Sequence, residues 1–109
     1  METRSDHGQR HFGDIAPAFA DLTDRVLFDE VWNDPALSPR DRSLATVAAL
    51  IALGRAEQLP FHLRRARQNG LGHEELAALT AHLAFYAGWP VAASAITRLR
   101  ELRNEEVHS

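Results

Sequence analysis

The side chains best suited to acid–base chemistry in this sequence are two histidines, His62 and His82. His62 lies in "EQLPFHLRRARQNG", Glu57 to Gly70, directly after a nearly uninterrupted apolar run. An imidazole titrates near neutrality, so it can donate, accept or relay a proton at ordinary pH. His82 is surrounded at one-turn spacing by Ala78, Leu79, Phe85 and Tyr86, on a segment with few other polar groups. An imidazole buried there needs a hydrogen-bond partner, and Tyr86 at i+4 falls on its face. Each histidine is equally open to a structural role, capping or bridging within a helix pair.

The residues around them suggest further functions. Glu57 stands just before the His62 helix, and Arg64, two residues after His62, points about 200° away around an ideal helix. "RRAR" by itself reads as a solvated face, and Trp32 and Trp89 read as core or interface anchors. Two histidines do not complete a zinc shell, so no metal is expected. The absence of cysteine removes disulfides, thiolate catalysis and thiolate metal sites. All twelve basic residues are arginine, and without lysine no Schiff base to a carbonyl or to pyridoxal phosphate can form.

Positioning these groups falls to helices. Alanine and leucine at helical spacing dominate everything after Asp14, and no stretch alternates for long as a strand would. A first helix is expected over Asp14 to Trp32, with Ile15, Phe19, Leu22 and Val26 inward. A second runs from Ser38 and Pro39, with Asp41 in its first turn, to Gly54. From Leu44 to Leu53 its only polar side chain is Thr46, so it should be central and covered on most sides.

A third helix runs from about Gln58 to the "NG" at Asn69 and Gly70, a fourth from near Gly72 to Gly88, and a fifth from Pro90. The short link near Leu71 makes helices three and four a central antiparallel hairpin. His62, nine residues before that bend, and His82, eleven after it, then stand at nearly one height and could share a small cavity. The expected organisation is a loose tail over 1–13, one domain over 14–104 and a tail over 105–109.

Net charge −3 and pI near 6.0 argue against a nucleic-acid partner, which would call for a basic excess. No apolar run approaches the roughly 20 residues of a membrane span, and the N-terminus lacks the apolar core of a secretory signal. The default is a cytoplasmic protein. A domain of 109 residues buries only about two-thirds of its unfolded surface, and a partner subunit would help it.

"LSPRDRSLATVAALIALGRAEQLPFHLRRARQNGLGHEELAALTAHLAFYAGWPVAASAI", Leu37 to Ile96, resembles the carboxymuconolactone decarboxylase family, and the preceding "FGDIAPAFADLTDRVLFDEVW" fits its leading helix. The residues carrying the likeness are Arg42, Ser43, Glu57, His62, Arg64, Ala66, Gly70, Glu75, Tyr86, Gly88, Pro90 and Ala92. The resemblance implies an all-α fold of five to six helices like alkyl hydroperoxidase D, and a homo-oligomer, commonly trimeric or hexameric. The redox branch keeps a Cys-x-x-Cys pair that would fall at Arg55 and Gln58, and an acid that would fall at Ser43. Without those groups a disulfide-cycling peroxidase is excluded.

What the resemblance leaves is a cofactor-free lyase acting on a small anionic lactone or enolisable acid. His62 and Glu57 would then be catalytic, with Arg42 or Arg64 anchoring a carboxylate and His82, Tyr86 and Trp89 lining the pocket. Trp89 is bulkier than the residue many members carry there. The other reading is a non-catalytic oligomeric protein that binds a small metabolite in the same pocket.

Overall fold

The computed structural model describes residues 5–108, so residues 1–4 and 109 of the two expected tails lie outside the described residues. Among the described residues the secondary structure is entirely helical. The chain divides after Pro39 into two compact units.

The second unit contains α3 (Pro39–Ala52) from its second residue on, α4 (Leu59–Gln68), α5 (His73–Ala87) and α6 (Trp89–Val107). Each start and stop has a local cause. Proline sits in the first turn of α3, α4 and α6, where no N–H is needed and its fixed φ already suits the helix.

Both α3 and α4 end in the same device. Gly54 (φ +71°) donates to the Ile51 carbonyl at 3.0 Å while Arg55 N–H reaches back to Leu50 at 2.8 Å. Gly70 (φ +101°) repeats this, with Gly70 donating to Arg67 at 3.1 Å and Leu71 to Ala66 at 2.9 Å. These paired bonds satisfy carbonyls that the helix end would otherwise leave open, and the left-handed residue is glycine in each case.

No atom lies within 4 Å of where a Cβ on Gly70 would stand. Gly70→Ala should therefore cost only backbone strain, about 1–2 kcal/mol. Urea unfolding checks this, and a neutral result would mean that the turn relaxes out of the left-handed region.

The interior is one cluster: Val47 and Ile51 from α3, Leu59, Leu63 and Ala66 from α4, Leu71 and Leu76, and Ala95, Leu99 and Leu102 from α6. Helix α6 packs along both α5 and α4. The closest helix hairpin is thus α5–α6, turned at Gly88, whereas the sequence reading placed it at helices three and four. Their link bends back at Leu71, but α6 takes up the inner faces of both.

Helix α3 buries Ser43, Val47 and Ile51 along one stripe, and Asn69 Nδ2 donates to Ser43 Oγ at 3.0 Å, tying the end of α4 to the start of α3. Its opposite face, with Ala45, Ala49 and Leu53, stays exposed. The glutamates expected in a C-terminal tail instead belong to α6, where Glu105 pairs with Arg64 and Glu106 with Arg67.

The first unit departs further from the sequence reading. A short helix α1 (His7–Phe12) lies where a loose tail was expected, and α2 (Pro17–Asp21) continues as a π-helix over Leu22–Val31. The wider winding, seen where Trp32 N–H bonds the Leu27 carbonyl at 3.0 Å, breaks the 3.6-residue stripe. Ala20 and Thr23 are buried, while Ile15, Phe19 and Leu22 are exposed rather than inward.

Helix α1 is held from a distance. The Asp24 carboxylate accepts from Gly8 N–H at 2.7 Å, Gln9 N–H at 3.0 Å and the Ser5 hydroxyl at 2.8 Å. It thereby caps the open N–H groups of α1, since Asp6 at the helix start makes no capping bond with its side chain.

Desolvation raises the Asp24 pKa, but these three bonds and nearby His7 outweigh it and hold the carboxyl below its ordinary value. A lowered folded pKa gives stability that is full above the ordinary carboxylate pKa near 4 and is lost as pH falls through the folded value. Amide exchange of α1 should thus rise in acid below about pH 4, and Asp24→Asn should remove most of that dependence. A flat profile in the unmodified chain would show that Asp24 does not govern docking of α1.

Candidate functional site

His62 projects from α4 on the flank of its buried stripe, Leu59, Leu63 and Ala66. It is half-buried, its Nδ1 has no solvent contact, and its ring stands edge-on to Phe61 with centroids 4.9 Å apart. Arg65, one turn further along α4, also buries its Nε, and desolvation lowers its pKa from the ordinary arginine value. Arg42 is half-buried in α3, with its Nε out of solvent.

The other expected site residues are not gathered with His62. Glu57 is exposed in the turn between α3 and α4. Arg64 is exposed and faces Glu105 of α6 across 3.5 Å, which spends its charge within the bundle.

His82 corrects an expectation. Helix α5 buries Leu76, Thr80 and Ala84, and His82 lies two residues from Thr80, on the opposite side. Its ring is exposed and packs on Tyr86 with centroids 4.9 Å apart. Tyr86 is 79% exposed, Phe85 equally so, and Trp89 66% exposed. Phe85 and Trp89 meet edge to face at 5.8 Å. The pairing of His82 with Tyr86 holds, but on an outer aromatic ledge rather than in a cavity shared with His62.

Three clefts mark the second unit. One of about 380 Å³ lies between α4 and α6, lined by Arg64, Arg67, Gln68, Leu102, Glu105 and Glu106. One of about 300 Å³ lies between α5 and α6, with His73, Glu74, Arg100 and Arg103 on its rim. The third, about 160 Å³, is enclosed by the end of α3, the start of α4 and the first turns of α6, and it contains Arg55. Neither His62 nor His82 lines any of the three.

Sequence reasoning missed a polar knot at the far end of the bundle. Glu106 of α6 accepts from Arg67 of α4 at 2.9 Å and lies 3.2 Å from His73 Nε2 of α5. The bond from Arg67 foremost, despite desolvation, holds the Glu106 carboxyl below its ordinary value. These partners are more than thirty positions apart in sequence, and no local pattern announces them. Nearby, Glu75 accepts from Gly72 N–H at 3.0 Å at the start of α5 and pairs with Arg40.

Among the described residues no group of three or more histidines and carboxylates could hold a metal ion, and no helix is long and apolar enough to cross a membrane. The chemistry on offer is that of a half-buried imidazole on α4 of the helical frame, with an arginine of partly buried side chain one turn further along the same helix.

Such a frame defines a small all-helical protein of the alkyl hydroperoxidase D type without its thiols. The chain belongs to the carboxymuconolactone decarboxylase family, whose profile matches residues 17–101. It is 37% identical over 92 residues to a 4-carboxymuconolactone decarboxylase of Acinetobacter baylyi, covering 84% of this chain and 69% of that one. It is 31% identical over 77 residues to the nitrosuccinic acid decarboxylase npaB of Metarhizium robertsii, covering 71% of this chain. It spans about half of that relative, 54% of its length.

Proposed function

We propose that this protein is a cofactor-free decarboxylase of a small carboxylic acid, with His62 as the proton-handling group. The reading is carried by the 37% identity, across 84% of the chain, to a protein named for that reaction, with His62 half-buried on α4. The two relatives' names share a chemical theme. In a carboxylated lactone and in nitrosuccinic acid, CO2 can leave because a carbonyl or nitro group takes up the electron pair of the broken C–C bond.

The step needs little from the protein. The carboxylate must be held, water excluded and the developing negative charge stabilised. The C–C bond breaks heterolytically, CO2 departs, and the carbanion's pair moves onto the acceptor group. A proton from the protonated His62 imidazole then completes the product, and solvent restores the proton to His62. Arg65, one turn along α4 from His62, would supply positive field for the charge that builds up.

A homo-oligomer belongs to this reading. The exposed ledge of Phe85, Tyr86 and Trp89, with Leu53 on the open face of α3, is the apolar surface that a second copy would cover. In that assembly His82, Tyr86 and Trp89 would contribute to a pocket between copies, and Glu57 would gain a partner.

The test is CO2 release by the purified chain from 4-carboxymuconolactone and from nitrosuccinate, with light scattering on the same sample. Release from either acid by an assembly of two or more copies supports the reading. No release from either, with binding retained, would favour a metabolite-binding protein. The exposure of Glu57, His82, Tyr86 and Trp89, away from His62, is the observation on that side.

A further inference from the structure

These three clefts differ in charge. Glu105 and Glu106 line the first, where they pair with Arg64 and Arg67, and Glu74 lines the second beside Arg100 and Arg103. The third carries Arg55 and no carboxylate at all. Its walls are apolar, formed mainly by Leu50, Ile51, Leu59 and Val91, and Ser94 adds a hydroxyl.

Arg55 is also free in a way that most arginines here are not. Arg10, Arg25, Arg40, Arg64, Arg67 and Arg98 each face a carboxylate. The Arg55 side chain makes no hydrogen bond or ion pair among the described residues, and neither does the Ser94 hydroxyl. Arg100 and Arg103 are uncommitted in the same way, but the cleft they line also carries Glu74, whereas the cleft beside Arg55 carries no carboxylate.

The backbone of Arg55, by contrast, is fixed. Its N–H bonds Leu50 and its carbonyl accepts from Gln58 N–H at 3.2 Å. The preceding Gly54 takes the left-handed turn that delivers it, and a Cβ there would stand 3.8 Å from Val91 of the facing wall. Residue 55 is thus held at the cleft mouth while its side chain stays uncommitted.

We infer that Arg55 is the carboxylate anchor of this protein and that the 160 Å³ cleft receives the apolar body of a small acid. The inference rests on the decarboxylase reading for its substrate class. The volume equals about five waters at roughly 30 Å³ each, room for a carboxylate and a few carbons. Guanidinium grips a carboxylate through two parallel bonds, which an ammonium cannot do.

The sequence reading offered Arg42 or Arg64 for this task. Arg64 is engaged with Glu105, and neither residue lines this cleft. His62 stands one turn beyond Leu59 on α4, about 4.5 Å further along the helix.

Succinate, which has no acceptor group to drive loss of CO2, serves as the binding probe, titrated into the full chain and followed by amide NMR. Shifts are expected at Gly54, Arg55, Val91 and Ser94, with binding weakened about 10- to 100-fold in Arg55→Gln and only partly retained in Arg55→Lys. In turnover, Arg55→Gln should raise KM by a similar factor and leave kcat within about twofold.

Shifts that cluster elsewhere, absence of binding, or equal affinity in Arg55→Gln would each overturn the assignment. If the unmodified chain releases no CO2 but succinate still binds here through Arg55, the anchor stands and the decarboxylase reading falls. If CO2 is released and Arg55→Gln changes neither KM nor succinate affinity, the anchor falls and the decarboxylase stands.

Discussion

His62→Gln should slow CO2 release about 10²- to 10⁴-fold, the range that a positioned general acid or base contributes. The expectation follows from where His62 sits. The stripe that holds α4 in place is Leu59, Leu63 and Ala66, and His62 is beside it, not part of it. Glutamine keeps comparable bulk and hydrogen-bonding capacity but cannot carry a proton near neutrality. Stability should therefore move by no more than about 1 kcal/mol. Two readouts are needed on one sample: turnover with a released acid, and urea unfolding. A large loss of turnover with an unchanged unfolding midpoint identifies a chemical role. Unchanged turnover would remove His62 from the mechanism and leave its burial as packing alone.

The same stripe shows what the sequence could and could not convey. Helices α3 to α6 were legible because prolines open three of them and Gly54, Gly70 and Gly88 mark the turns between them. Those residues act locally, through φ and through missing N–H groups, so a single chain displays their effect. The burial of α5 was not legible. Its residues are apolar nearly all round, so periodicity could not separate the stripe of Leu76, Thr80 and Ala84 from the ledge that carries His82 and Tyr86.

Helix α1 failed for a different reason. Its cap is Asp24, 16 residues away from Gly8, and six residues are too few to show a period. Over Leu22–Val31 the apolar spacing pointed to an α-helix, whereas the structure winds as a π-helix, and Phe19 and Leu22 stand exposed. At the site, residue chemistry and resemblance both pointed to His62, whereas Arg55 could be singled out only once the cleft it lines, free of carboxylates, was known.

Leu63→Ala is the stability counterpart of His62→Gln, one residue along and opposite in effect. Leu63 is 3% exposed and belongs to the cluster that joins α3, α4 and α6. Truncation removes buried methyl groups and leaves a cavity that four packed helices cannot fully close, for a cost of about 2–5 kcal/mol. Against a total near 5–15 kcal/mol for a domain, that is a large share. Leu63→Met, which keeps the volume, should cost less than about 1.5 kcal/mol.

Urea unfolding of both variants at several protein concentrations decides the matter, since in an assembly apparent stability also depends on how much protomer is present. A loss below about 1 kcal/mol for Leu63→Ala would mean that α4 is held mainly by something other than this cluster. If the loss is large and independent of concentration, the frame that carries His62 and Arg55 is built within one chain. If it grows on dilution, subunit contacts share in holding α4, and the ledge on α5 is the first surface to probe.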